Sequence, residues 1–232
     1  VAEAEAATGA IDVLVSNAGY SLEGTVEATD FADIEAQFAT HVFASIALIK
    51  AVLPGMRGRR SGHILTLGSL AAHTPNGGTA VYAAAKAAIE TLSAGLAREV
   101  EPFGIRVTAL VPGAFRTRLG DSRRGAAATI PDYADADKAR RERLAGFSGT
   151  QRGDPRKAAQ AIIAIVNAPD TPLRFALGPD ALAGLRTHAA ALLADADAYE
   201  GPGGATDFAA EELAGNTHCT GGIPPSHCST AS

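Results

Sequence analysis

The chain has 232 residues, 47% of them hydrophobic and 19% charged, which is enough to bury one sizeable core. A formal net charge of −5 argues against a nucleic-acid partner, and no apolar run reaches the roughly 18 to 20 residues of a membrane span, the best stretch, Val42 to Met56, being broken by Lys50, Pro54 and Gly55. The opening Val1-Ala2-Glu3-Ala4-Glu5 is acidic and lacks the apolar core of a secretory signal, so a reducing cytoplasm is the expected location.

Val1 to Gly9 is alanine-rich and reads as the tail of a helix stopped by Gly9. Ile11 to Ser16 is a short β-branched run, the pattern of a buried parallel strand. It leads into Asn17-Ala18-Gly19, small residues that either end the strand or let backbone approach a ligand. Thr29-Asp30-Phe31 opens a long helix carrying Ile34, Phe38, Val42, Ile49 and Leu53 at helical spacing, with Pro54-Gly55 predicted to end it. Gly58 to Gly62 then reads as a solvated basic loop. Ile64 to Leu67 is a second strand with Ser69 at its carboxyl end, the side where ligands bind in open α/β sheets. A second long helix starts at Thr79 or Val81 and runs through Tyr82, Lys86, Ile89, Leu92, Leu96 and Val100 to Pro102-Phe103-Gly104. Its alanines and its more than one apolar face predict a subunit contact as well as a sheet contact. Ile105 to Val111 is the third strand, ending in Pro112-Gly113.

From Ala114 to Gly153 the periodicity fails, and an irregular lid is predicted. Its arginines (Arg123, Arg124, Arg140, Arg141) read as solvated, a phosphate-bearing substrate being the other reading. Asp154-Pro155 is a helix start, and that helix carries Ala158, Ile162, Ile165 and Val166. A short strand, Leu173 to Leu177, and a helix from Ala181 to about Tyr199 close the ordered part. Residues 200–232 turn to glycine, proline, threonine and serine, a tail unable to bury itself. It holds Cys219 and Cys228, each preceded by a histidine, His218 and His227. Four such ligands would suffice for zinc, but the spacing matches no finger and no metal site is expected.

Strand, helix, strand, helix, strand is the order of βαβ units around a parallel sheet. Within it, Tyr82 and Lys86 lie four apart on one helix face, and Ser69 arrives from a neighbouring strand end. A phenol with a pKa near 10 is a poor acid at neutrality. Bringing it down by roughly 3 requires about 4 kcal/mol, which one cation at about 4 Å supplies at an effective dielectric near 20. Serine would hold a carbonyl oxygen where the phenol exchanges a proton with it, chemistry suited to carbonyl reduction or alcohol oxidation beside a nicotinamide. Taken alone, Tyr-x-x-x-Lys equally describes an ordinary surface pair.

Together these residues resemble the short-chain dehydrogenase/reductase family in its single-domain branch, over roughly residues 1–199. Asn17-Ala18-Gly19 is similar to that family's turn beside the adenosine part of the cofactor. Ser69 stands 13 residues before Tyr82, as the family's serine does before its tyrosine. The resemblance implies that Tyr82 is the general acid/base, that Lys86 lowers its pKa and grips the nicotinamide ribose, and that Pro112, Gly113 and Thr117 line the nicotinamide. The family's relay asparagine corresponds to His41, and histidine also relays protons near neutrality. The implied fold is α/β, a Rossmann-like doubly wound parallel sheet, here lacking its first three strands and the glycine-rich turn that meets a pyrophosphate. Neither Thr8-Gly9 nor Gly201 to Gly204 replaces that turn, and the only methionine is Met56, so the chain is expected to begin inside a longer protein. The implied cofactor is NAD or NADP. The implied activity interconverts a small alcohol and a ketone or aldehyde, in a homodimer or homotetramer joined through the two long helices. The other readings are a non-catalytic binding or assembly protein on the same scaffold, and a lyase or epimerase reusing the triad without net redox.

Overall fold

The computed structural model describes residues 1–126, 130–147 and 149–209. The helix α1 (Ala2–Thr8) leads to β1 (Val13–Ser16), β2 (Leu22–Glu23), α2 (Phe31–Phe38), α3 (Ala44–Arg59) and β3 (Gly62–Leu67). Then come α4 (Ala80–Val100), β4 (Ile105–Pro112), β5 (Arg124–Gly125), α5 (Ala134–Phe147), α6 (Pro155–Asn167), β6 (Arg174–Leu177), α7 (Pro179–Ala198) and α8 (Glu200–Gly204). The four apolar runs predicted as strands form one parallel sheet in the order β1-β3-β4-β6, as the α/β reading requires.

The register explains which side chains meet. Leu14 pairs with Ile64 and Ile64 with Val107. Ile64 and Val107, with Leu14 packed against them, point to the layer where Ile49, Val52 and Met56 of α3 and Leu96 and Val100 of α4 complete a core. The alternate residues Leu65 and Leu110 point to the other face, where Leu177 joins them and Ile162 and Val166 of α6 close the layer. Strands buried on both faces therefore read as continuous apolar runs. At β1 the second layer is open. Val15 pairs with Leu65 and shares its face, yet it remains 48% exposed, and Val13 remains 37% exposed. Among the described residues, β1 hydrogen-bonds a strand on one side only.

Three expectations need correction. The first long helix does not stop at Pro54-Gly55; α3 runs on to Arg59 and ends at Arg60 in the left-handed region, φ 53°. Met56, fully buried, anchors that last turn beneath Gly62, where an added Cβ would stand 2.5 Å from its sulfur. Burying one such side chain contributes about 2 kcal/mol, enough to hold the turn across an exposed proline. Second, the rod from Phe31 to Arg59 is interrupted at Ala39–Phe43 by a π-helical turn, which the 3.6-residue pattern does not reveal. By length and composition this rod could cross a membrane, but its inner face supplies Ile49, Val52 and Met56 to the core. Third, the segment 114–153 is not wholly irregular, because α5 lies inside it.

Of the arginines in that segment, Arg124 and Arg141 are exposed as expected, while Arg123 and Arg140 are less solvated. Glu23, buried at the end of β2, takes Arg123 Nε at 3.2 Å and Arg140 Nη1 at 3.1 Å, and Arg140 Nη2 reaches Asp137 at 3.1 Å. Arg124 lies over the Tyr20 ring at 4.5 Å. A buried carboxylate facing two guanidinium groups gives this polar segment a fixed anchor that apolar periodicity cannot supply.

The chain divides into one unit, Val1–Ala189, and a second from Ala190 onward. The second holds the end of α7 and α8, with Leu192, Leu193 and Tyr199 exposed. The Cys219 and Cys228 pairs lie outside the described residues. Because β1 offers unpaired backbone and exposed valines, the chain expressed alone is expected to self-associate. Val15→Lys should raise its monomer fraction on size-exclusion chromatography with multi-angle light scattering; an unchanged distribution would place the association elsewhere.

Candidate active site

Each predicted catalytic side chain is delivered by a different local device. Ser69 ends β3 and caps the short 3₁₀ turn Leu70–Ala72, its Oγ accepting from Ala71 N at 3.1 Å. Tyr82 and Lys86 lie one turn apart on the buried face of α4. The structure brings these three together: the Ser69 side chain hydrogen-bonds the Tyr82 phenol, and Lys86 Nζ stands 5.8 Å from the Tyr82 ring centroid. Lys86 is only 3% exposed, and its ammonium donates to the Leu67 carbonyl at 2.7 Å.

The electrostatics differ from expectation. Burial pushes the Tyr82 phenol above its ordinary 10, with the Ser69 hydrogen bond pulling it down. Burial therefore sets the direction at Tyr82, and the Lys86 ammonium donates its hydrogen bond to Leu67 O rather than to the phenol. Burial lowers the Lys86 ammonium to about 8, against the Glu90 carboxylate, which raises it.

His41 is placed by the π-helical turn. The ring is buried, with Nε2 2.9 Å from Tyr20 O and 3.2 Å from Tyr20 N, and it meets the Tyr82 ring edge-on at 5.8 Å. Gln37 Nε2 donates to the same Tyr20 carbonyl at 3.3 Å. Burial, then the Lys86 charge, lowers His41 to about 4, so it is neutral at pH 7. Gly19 is explained by the same ring: a Cβ there would stand 2.3 Å from His41 Cε1. The small residue in the Asn17-Ala18-Gly19 turn admits a protein side chain, a reason the sequence reading did not contain.

The cofactor-side candidates line a separate cleft of about 760 Å³, walled by Asn17, Gly19, Leu67, Pro112, Gly113, Phe115 and Thr117, with Ile162 and Leu177 behind. Ala18 is exposed and does not line it. Leu67 joins the two sites, since its side of the cleft carries the carbonyl that holds Lys86. Asp180, unremarked in the sequence, secures the Pro112-Gly113 wall: its carboxylate accepts from Ala114 N at 2.6 Å and fills the place where a Gly113 Cβ would sit. Among the described residues, no three His, Cys, Asp or Glu side chains cluster as a metal site.

A family model for short chain dehydrogenase matches residues 1–127. The chain belongs to the short-chain dehydrogenase/reductase family. It is 36% identical over 174 residues to oxidoreductase BOA17 of Botryotinia fuckeliana, covering 75% of this chain and 64% of that protein. Across the curated relatives it matches, the chain spans from 64% of their length down to 36%, the latter for retinol dehydrogenase 8 of Homo sapiens. A short-chain dehydrogenase from Streptomyces avermitilis superposes with a TM-score of 0.81 at 40% identity, over 89% of this chain and 74% of the other. The closed form of a serine dehydrogenase complexed with NADP+ superposes at 0.62 and 27% identity, over 74% and 66%. For a dinucleotide of the kind this family implies, the residues present fit one end. The cleft beside Lys86 is open and glycine-walled, whereas no glycine-rich strand-to-helix turn for a pyrophosphate occurs among the described residues.

The close approach of Gly19 and His41 predicts that Gly19→Ala destabilises the protein by about 2 kcal/mol, a Tm loss of roughly 5 °C, and that His41→Ala in the same chain removes much of that penalty. Thermal denaturation of the two single variants and the double variant checks this; equal, additive losses would refute the steric cause.

His41 and His63 make a second prediction. Burial lowers His63 to about 4 as well; its Nε2 lies 3.0 Å from Thr108 Oγ1, which itself donates to Pro172 O. Both rings sit below their ordinary 6.5, so between 6.5 and about 4 the unfolded chain binds more protons than the folded one. Their contribution to stability is complete above 6.5 and is lost as pH falls toward 4. The urea midpoint should fall across that window, and His63→Gln should flatten part of the slope.

Proposed function

We propose that this chain carries the catalytic site of an NAD(P)-dependent oxidoreductase that interconverts a small alcohol and a ketone or aldehyde. The reading rests on one observation: Ser69, Tyr82 and Lys86 come together, and Leu67, whose carbonyl holds the lysine, also walls the cleft lined by Asn17, Gly19, Pro112, Gly113 and Thr117. The NADP+ complex of the serine dehydrogenase neighbour supports the choice of cofactor class. A nicotinamide dinucleotide, when bound, supplies or removes the hydride.

Pro112, Gly113 and Thr117 would hold its nicotinamide end, and Lys86 its ribose. Ser69 Oγ orients the substrate oxygen. Tyr82, protonated throughout the neutral range because burial raises it, gives its proton to that oxygen during reduction and recovers it from the alcohol in the reverse direction. The phenolate left behind is an anion formed in a buried place, and the Lys86 ammonium is the nearby charge that offsets it. His41, held neutral, braces the Tyr20 backbone and the edge of the Tyr82 ring; its Nδ1 is left to accept from a proton-relay partner. The segment around α5 shapes the substrate side. Phe43 and Leu48 remain exposed on the rod from α2 to α3, consistent with the proposed homo-oligomer contact through α3 and α4.

Tyr82→Phe removes the proton without removing the ring. Its expected effect is a fall in kcat of roughly 10²- to 10⁴-fold, with the Tm nearly unchanged, in the full-length protein assayed by nicotinamide absorbance on a ketone panel. A variant with full turnover would remove the phenol from the reaction.

A further inference from the structure

Tyr82 and Lys86 do not exhaust the buried polar face of α4. One turn beyond the lysine stands Glu90, 3% exposed, an ionisable group in the core with no part in the chemistry above. One carboxylate oxygen accepts the Ser69 backbone N–H at 3.1 Å. The other lies 2.8 Å from His73 Nε2, and Arg174 Nε approaches it at 3.8 Å from β6. His73 in turn meets the His188 ring of α7 at 5.2 Å. Gly68 records the same approach from the opposite side: a Cβ there would stand 2.2 Å from Glu90 Oε1, so the residue before the serine must be small for the carboxylate to reach past it.

A buried carboxylate without partners is costly, and partners that merely neutralised it could sit anywhere along the helix. These do not. The Ser69 amide belongs to the residue whose hydroxyl meets the phenol. We propose that Glu90 is a positioning residue for the site: one turn from the lysine, it ties the end of β3 to the same helix face that carries Tyr82 and Lys86, setting where the Ser69 hydroxyl stands. The three α4 side chains at 82, 86 and 90 thus form one successive series, in which the last fixes the serine and supports the lysine. The charged and titratable groups facing this pair are Tyr82 on α4, His41 on the π-helical turn, His73 after β3 and Arg174 on β6, with His188 of α7 behind His73. Burial works against the lysine charge and the carboxylate works for it.

The functional consequence rests on the oxidoreductase reading, but the structural assignment is tested without it. Three variants of the full chain are compared: Glu90→Ala, Glu90→Gln and, as the control on the reading itself, Tyr82→Phe. Hydrogen exchange of the peptide containing Ser69 is read first. Glu90→Ala should exchange that amide roughly tenfold faster or more, while Glu90→Gln, which retains an acceptor oxygen, should change it by about threefold or less. The Lys86 titration is read second, by carbon-13 NMR of the lysine side chain. In both variants its midpoint should move to lower pH by about half a pH unit or more, because the carboxylate that favours the ammonium has gone.

Reduction of ethyl acetoacetate with NADPH is read third, the high-pH loss of kcat starting at lower pH in both variants and the alanine variant losing more than the glutamine variant at about pH 6. Unchanged Ser69 exchange in Glu90→Ala, or an unmoved Lys86 midpoint in Glu90→Gln, overturns the proposal. If the alanine variant does not fold, the glutamine variant's lysine titration decides. Should Tyr82→Phe retain turnover while exchange and titration behave as described, the catalytic reading fails and the Glu90 assignment stands.

Discussion

A buried ammonium is the constraint around which this site is arranged. Lys86 sits among the least exposed polar side chains of the molecule, and moving such a charge out of water costs several kcal/mol unless partners offset it. One hydrogen-bond partner is built in, the Leu67 carbonyl at the end of β3, and the Glu90 carboxylate one turn along α4, which holds the Ser69 amide, adds a favourable charge. Both bind α4 to the carboxyl end of β3, so supporting the lysine also locates the strand end where Ser69 stands. The Thr66 and Ser93 hydroxyls, 2.7 Å apart, repeat the same helix-to-strand tie one step deeper.

Tyr82 shows why a pair of residues at the right spacing is not yet an activated acid. In the structure burial dominates and raises the phenol, while the lysine charge is directed at a backbone oxygen. An ammonium that steadies the phenolate works against that burial, and the net direction shows that desolvation is the larger effect. That fits a site in which charge appears during the reaction and is met by groups already in place.

Around this centre the shape depends on two irregularities. The π-helical turn at Ala39–Phe43 places His41 under the Asn17-Ala18-Gly19 turn and beside Tyr82, and Gly19 is the complement that makes room for it. After β4, Glu23 with Arg123 and Arg140 fastens a segment that has few apolar residues to bury. Asp180 does similar work at the Pro112-Gly113 wall. In each case one charge or ring fixes a stretch of backbone that lacks regular structure.

Short β-branched runs separated by long apolar-periodic segments were enough to read a parallel α/β sheet, because burial on both faces leaves a mark in every strand. The helix spacing of Tyr82 and Lys86, and Ser69 at a strand end, were legible for the same local reason, and so was the membership of the family. The extension of α3 through Pro54, the π-helical turn and the helix α5 were not, since each is held by a contact distant in sequence: Met56 with the core of Leu96 and Val107, His41 with Tyr20, Arg140 with Glu23. Nothing local to Glu90 marks it as buried, and nothing local to Asp180 marks its bond to Ala114 N. Sequence alone therefore determined which chemical groups the chain carries and the periodicity that stacks them on common faces. Only the tertiary structure decided their ionisation and partners, because desolvation and hydrogen bonding depend on what packs against a side chain from elsewhere in the chain.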